Sequence, residues 1–133
     1  MHSLIITAHP SHEGFTHRIA AAYRSQREKL GHTTETLDLY AAEWRLPFFH
    51  FETRESMRIL SPEQVVMQDK VSRADEIVVV FPVWWVSMPA ILKNFFDSIF
   101  TSGFAYRYIP GKTFPQQLLK GKTARVFATC DAR

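Results

Sequence analysis

The sequence predicts an α/β domain in which a parallel sheet is sandwiched between helical layers. Three observations carry this. Strand-like and helix-like segments alternate in the order strand, helix, strand, helix, strand, helix, strand, the pattern of parallel sheets with right-handed crossovers. Residues 3–8 (SLIITA) and 76–81 (EIVVVF) are short apolar runs, as expected of strands buried on both faces. Both runs end abruptly, at His9-Pro10 and at Pro82.

Each element has its own signals. The loop His9-Pro10-Ser11-His12-Glu13-Gly14 ends the first strand, and residues 15–30, rich in Ala and Arg, read as a helix ended by Gly31. Residues 33–39 alternate, with Thr33, Glu35, Leu37 and Leu39 on one face and Thr34, Thr36 and Asp38 on the other. That half-polar pattern suits an edge strand. Residues 40–60 show no period but hold Trp44, Phe48, Phe49 and Phe51. Connections this long in small domains are usually functional or interface-forming. Ser61, Pro62 and Gln64 then predict a helix start with a capping box, and the helix runs to about Ala74. From 89 to 101, Ile91, Leu92, Phe95, Phe96, Ile99 and Phe100 line one broad helical face, with Lys93, Asn94, Asp97 and Ser98 expected to point away. So wide an apolar face suggests a partner subunit. A loop containing Tyr106, Tyr108, Pro110 and Gly111 comes next, and residues 123–129 form the fourth strand.

Composition narrows the class. The 133 residues suit one domain spanning 1–133, with 46% hydrophobic and 22% charged residues in a globular balance. A single cysteine, Cys130, excludes an internal disulfide framework and fits a reducing compartment. The longest uncharged run, residues 77–92, holds 16 residues and is cut by Pro82 and Pro89, short of the ~20 that span a bilayer. No basic region precedes the first strand, so no signal peptide is expected and the cytoplasm is the expected location. Sixteen Lys and Arg against thirteen Asp and Glu give +3, scattered without a stripe. That pattern argues against nucleic acid as a partner and accommodates a phosphorylated ligand.

In open parallel sheets, ligands bind beyond the carboxyl ends of the strands. Three such ends are distinctive. The first, residues 9–16, leads into a helix N-terminus and offers amides and dipole to an anion, with Ser11 and Thr16 as hydroxyl donors and Gly14 allowing close backbone approach. The alternative is ordinary turn and cap residues; no P-loop or GxGxxG pattern is present. The second, Phe81-Pro82-Val83-Trp84-Trp85-Val86-Ser87-Met88-Pro89, sets two indoles between two prolines. Its amides suit the edge of a planar heterocycle and its indoles the face, although any single Trp is more often core or interface. The third is Ala128-Thr129-Cys130-Asp131-Ala132, where a lone thiol without a base reads as structural. His9, His12 and His17 come without a carboxylate or cysteine set at ligand spacing, so no metal is expected.

Together these segments resemble the flavodoxin-like NAD(P)H:quinone oxidoreductases, the group with DT-diaphorase, the modulators of drug activity and the potassium-efflux ancillary oxidoreductases. The resemblance rests on Ala8-His9-Pro10 with Gly14-Phe15-Thr16, on Leu37-Asp38-Leu39-Tyr40, on Phe104-Ala105-Tyr106-Arg107-Tyr108 and on Lys120-Gly121-Lys122. Its most specific part is Phe81-Pro82-Val83-Trp84-Trp85 through Met88-Pro89-Ala90-Ile91-Leu92-Lys93. It implies a flavodoxin-like three-layer sandwich and a tightly bound FMN or FAD, with NAD(P)H as co-substrate. The chemistry it implies is two-electron hydride transfer from NAD(P)H by way of flavin N5 to a quinone. By the same resemblance, His9, Ser11, Gly14, Phe15 and Thr16 match the flavin phosphate loop. Pro82, Val83, Trp84, Trp85 and Val86 match the isoalloxazine loop, and Thr129 the third loop. Tyr106 and Tyr108 match a substrate pocket often shared across a homodimer. The flavin carries the chemistry and no catalytic side chain is required.

Two departures stand out. Trp84 replaces a glutamine of several relatives, and Cys130-Asp131 replaces an open Thr-Gly-Gly type of loop. Relatives also continue for another helix, strand and helix. The expected sheet order is therefore 2-1-3-4, with the fifth strand and last helices absent and the domain incomplete at its C-terminus. A fourth strand left at the edge is expected to be covered by a partner chain or to mark a marginal protein. Besides the quinone reductase, two other functions fit. One is a flavodoxin-like regulatory subunit making peripheral contact with a membrane transporter, with weak or lost catalysis. The other is a one-electron carrier, disfavoured by the +3 charge because such carriers are usually acidic.

Overall fold

The structure is a computed structural model and describes residues 1–131. The elements run β1 (His2–Thr7), α1 (Phe15–Lys29), β2 (Thr33–Asp38), α2 (Pro62–Arg73), β3 (Glu76–Pro82) and α3 (Ala90–Ile99). A short ribbon, β4 (Tyr106–Arg107) and β5 (Gln116–Gln117), precedes β6 (Thr123–Thr129). The main sheet has the order β2-β1-β3-β6 with every neighbouring pair parallel. The predicted order 2-1-3-4 is thus the observed one, with β6 as the fourth strand of the sheet.

Alternation along the strands divides the core into two layers. Leu4, Ile6, Leu37, Ile77 and Val79 pack against Met67 and Val71 of α2 and Leu92, Phe95 and Ile99 of α3. Ile5, Val78 and Val80 point to the opposite face, where Ala20, Ile19 and Tyr23 of α1 cover them. Fully burying each such aliphatic side chain contributes about 1.5–3 kcal/mol, so the two layers together hold the helices to the sheet. At the edge, β6 keeps Val126 exposed and sends Phe127 against Tyr23, ring centroids 5.5 Å apart.

The helix ends obey their sequence signals. Gly31 takes φ +81, and the His32 and Gly31 amides donate back to Arg27 and Glu28 carbonyls at 3.0 Å each, closing α1 with a Schellman motif. At α2, the Ser61 hydroxyl accepts from Gln64 N–H at 3.2 Å while Ser61 N–H donates to Gln64 Oε1 at 2.8 Å, the expected capping box.

Two expectations need correction. Asn94 and Ser98 do not face away from the core; both are buried. Asn94 Oδ1 accepts from Phe49 N–H at 2.7 Å, and its amide donates to the Pro47 carbonyl at 3.0 Å. The residue staples the 40–60 connection onto α3, so a polar side chain sits inside because that loop supplies backbone partners. The stretch after α3 is also not simply a loop, since β4 and β5 pair as an antiparallel ribbon.

At the amino ends of β1 and β3 lies a polar hub. Glu76, 2% exposed, accepts from Arg27 at 2.6 Å, Ser3 Oγ at 2.7 Å and Tyr23 Oη at 2.8 Å. Arg125 approaches from β6 at 3.3 Å. Burial alone would push the Glu76 carboxyl up. The hydrogen bonds from Arg27, Ser3 and Tyr23, together with the Arg27 charge, outweigh it and hold the group at about 2.

Candidate functional site

The opposite, carboxyl ends of the strands surround a cleft of about 440 Å³, within the range of small-ligand sites. Its walls are His9, Gly14, Phe15 and Thr16 from the β1–α1 loop, Pro82, Val83 and Trp84 after β3, and Thr129, Cys130 and Asp131 after β6. Three segments far apart in sequence meet here because β1, β3 and β6 are adjacent, parallel and in register. Val83 N–H donates to the Thr129 carbonyl at 2.7 Å, locking the second loop to the third. Ala132, the last residue of the third loop read from sequence, lies outside the described residues.

The first wall is an uncapped helix start. Gly14 occupies the N-cap of α1 with no side-chain cap, and no acidic residue stands in the first turn. The leading amides of α1 and the positive end of its dipole are therefore left for an anion. Gly14 has φ −81, a conformation open to any residue, and a Cβ there would meet His9 Cε1 at an ordinary 3.5 Å. Its glycine matters by keeping the amides uncovered, not by permitting a special turn. His9 Nδ1 lies 3.0 Å from Ser11 N and 2.9 Å from Ser11 O, so one backbone residue fixes the ring. The His9 ring sits 6.0 Å from that of Trp84 across the cleft mouth. Ser11 itself is spent on the loop, its hydroxyl accepting from Glu13 N–H at 3.3 Å, and does not reach the cleft wall.

The second wall carries backbone strain. Trp84 N–H donates to Ser87 O at 2.9 Å and Ser87 N–H returns to Trp84 O at 3.1 Å, closing a two-residue turn. Its central residues, Trp85 and Val86, have φ 51 and 62, as a type I′ turn requires. Asn or Gly normally fills these places. For Trp, and above all for β-branched Val, the left-handed region costs about 1–3 kcal/mol each. Neither central amide has an acceptor among the described residues. Trp85 and Val86 are 99% and 97% exposed. They do not line the cleft, and only Trp84 of the indole pair does.

Tyr106 and Tyr108 stand elsewhere. They pack edge to face at 5.5 Å and line a separate cleft of about 1100 Å³ with Arg54, Met57, Phe104 and Arg107. No residue lines both clefts.

One constellation is invisible to a reading of the sequence alone. Asp38, at the end of β2, is brought to His12 and His17, and a ligand-type atom from each lies within 4.8 Å of the others. The carboxylate expected to be lacking is thus supplied across 26 residues of sequence. Only the strand order, which seats β2 beside β1, carried a signal for it.

Known proteins share this architecture. The family described as flavodoxin-like fold matches residues 1–133. An uncharacterized NAD(P)H oxidoreductase of Haemophilus influenzae is 34% identical over 97% of this chain and 64% of its own length. A crystal structure of a Streptococcus mutans protein superposes with TM-score 0.86 at 37% identity, covering 96% of this chain and 67% of that one. The NAD(P)H:quinone oxidoreductase of Methanothermobacter marburgensis superposes with TM-score 0.81 at 27% identity, covering 98% and 66%. The chain spans between 45% and 64% of the length of the curated relatives it matches. Among the described residues no helix is long and apolar enough to cross a membrane.

Proposed function

The chain belongs to the flavodoxin-like NAD(P)H:quinone oxidoreductase family, and we propose that it works there as a flavin-dependent enzyme passing two electrons from NAD(P)H to a quinone-type acceptor. The observation that carries this is a cleft at the carboxyl ends of the strands whose wall includes an uncapped helix N-terminus and Trp84, next to a strained turn whose two central amides, outside the cleft wall, lack acceptors among the described residues. The first suits a phosphate and the second suits the polar edge of a planar heterocycle. FMN and FAD have both parts, and the donors present therefore fit a flavin.

In this reading the leading amides of α1, with Phe15 and Thr16 beside them, hold the phosphate. The Trp85 and Val86 amides donate to the ring edge, with Pro82 and Val83 fixing where the turn stands. Trp84 and His9 flank the ring and exclude water, and Thr129 keeps the third loop against the second. When bound, the flavin supplies the hydride chemistry. The protein's part is orientation and a preformed donor set, and the backbone strain of the turn is in keeping with a ligand role. No nucleophile or general base is required of the chain.

Tyr106 and Tyr108 line a different cleft from Trp84. Their role as acceptor-pocket residues is accordingly assigned to the site of a second copy, in a homodimer that the exposed Phe48 and Phe51 of the 40–60 connection help to form. A cytoplasmic location accords with this chemistry.

The test is turnover. Purified protein supplied with FMN or FAD should oxidise NADH or NADPH only when a soluble quinone is present, at a rate that saturates with flavin. Absence of flavin-dependent NAD(P)H oxidation with every nucleotide and flavin pair would overturn the proposal.

A further inference from the structure

Outside the strand-end cleft, His12, His17 and Asp38 form a separate group; none of the three lines that cleft. We propose that they make a three-ligand site for a divalent first-row transition ion of the Zn²⁺ type, pinning the β1–α1 loop between α1 and β2.

The placement is more than a chance meeting of polar side chains. His12 Nε2 lies 2.9 Å from Asp38 Oδ2, and the His12 and His17 rings stack at 4.2 Å with planes 20° apart. His17 Nε2 lies 3.0 Å from the His9 carbonyl oxygen. A carbonyl only accepts, so Nε2 carries the proton and Nδ1 is left with its lone pair. Asp38 is held in the same manner: Oδ1 accepts from Tyr40 N–H at 3.0 Å, leaving Oδ2 for His12. One histidine and the carboxylate are thus each oriented by backbone, the outer-shell support that metal ligands characteristically have.

The ligand set indicates the ion. Two imidazoles and one carboxylate suit Zn²⁺ and its borderline neighbours, whereas Mg²⁺ and Ca²⁺ take oxygen sets. Bonds of ~2.0–2.1 Å place tetrahedral ligand atoms about 3.3 Å apart. Atoms within 4.8 Å must close by up to about 1.5 Å to reach that spacing, and the His12 ring must turn out of its stack on His17 so that both lone pairs converge. His12 is the adjustable ligand, with its side chain 73% exposed, and it leaves the remaining positions to water. The positive end of the α1 dipole opposes a cation here, and the Asp38 charge offsets it.

The experiment is calorimetric titration of ZnCl₂ into the metal-stripped full chain at pH 7.5 in a non-chelating buffer, without flavin. The expected result is one saturable equivalent, a rise in melting temperature with Zn²⁺, and visible ligand-field bands when Co²⁺ replaces it. His12→Ala, at an exposed position that spares the fold, should weaken binding at least 10-fold. Asp38→Asn should do the same, with circular dichroism confirming that each variant is folded. His50→Ala, in the 40–60 connection, should change nothing. Binding that His12→Ala leaves intact would overturn the proposal. So would a loss of stability in His12→Ala with no response of the parent protein to Zn²⁺, the signature of a plain ion pair.

Discussion

At the amino ends of β1 and β3, Glu76 gathers Arg27, Ser3 and Tyr23 at 2.6, 2.7 and 2.8 Å around one buried carboxylate. At the carboxyl ends of the same strands, the Trp85 and Val86 amides have no acceptor among the described residues, α1 starts without a cap, and Thr7 Oγ1 is buried with no partner among them. The strands are shared, so the difference arises in the segments attached at each end. Around Glu76 one end is closed by side chains that satisfy each other, although His2 Nε2 at the start of β1 is, like Thr7 Oγ1, buried with no hydrogen-bond partner among the described residues. The other is left with the uncapped start of α1 at a cleft and with two turn amides that have no acceptor among the described residues. Under the proposed function, stability and ligand binding fall to opposite ends of one sheet.

The largest expected effect tests the closed end. Glu76→Ala removes the common acceptor of four side chains and should lower the unfolding free energy by about 3–5 kcal/mol, read in urea. The flavin affinity of the folded fraction should be unchanged. The same hub sets an acid limit. Its folded value of about 2 lies below the ordinary 4.5, so its stabilisation is fully present above pH 4.5 and is lost as pH falls toward 2. The shift corresponds to about 3 kcal/mol at most. Urea midpoints should fall steeply across that window, and the Glu76→Ala protein should show a shallower fall.

A medium effect tests the open end. Gly14→Asp supplies the missing cap and a charge at the α1 N-terminus, which should raise stability by a few tenths of a kcal/mol. The same carboxylate occupies the anion position, so flavin affinity should drop at least 10-fold in a fluorescence titration. A variant more stable yet weaker in binding is the outcome that separates the two ends most clearly. The smallest effect on binding concerns the turn. Val86→Gly relieves a left-handed β-branched residue and should add about 1 kcal/mol to thermal stability while loosening the turn and weakening flavin binding severalfold. If it destabilises the protein, Val86 has a packing role that its exposure does not suggest.

What was legible in the sequence was local. The apolar runs of β1 and β3, the Ser61 to Gln64 box and the Gly31 stop are set by neighbours a few residues away, and the parallel sheet by their alternation with helices, whereas the strand order followed from the resemblance to the family. The loops at the strand ends were readable for the same reason. The inward turn of Asn94 was not, because its partners are backbone groups of residues 46–49, 45 or more positions distant. Asp38 meeting His12 and Glu76 meeting Tyr23 likewise join residues 26 and 53 apart, which periodicity cannot see. The positive φ of Trp85 and Val86 was hidden because neither residue type signals such a turn.

If the open end of the sheet is a flavin cradle, the most direct measurement is equilibrium titration of FMN, and separately of FAD, into the purified chain. Flavin fluorescence and the tryptophan emission, to which Trp44 contributes beside Trp84 and Trp85, would be followed together. One saturable equivalent with quenching of both signals, weakened by Gly14→Asp and untouched by Glu76→Ala in folded protein, is the predicted result. Folded protein that leaves both signals unchanged at saturating flavin would contradict the cradle.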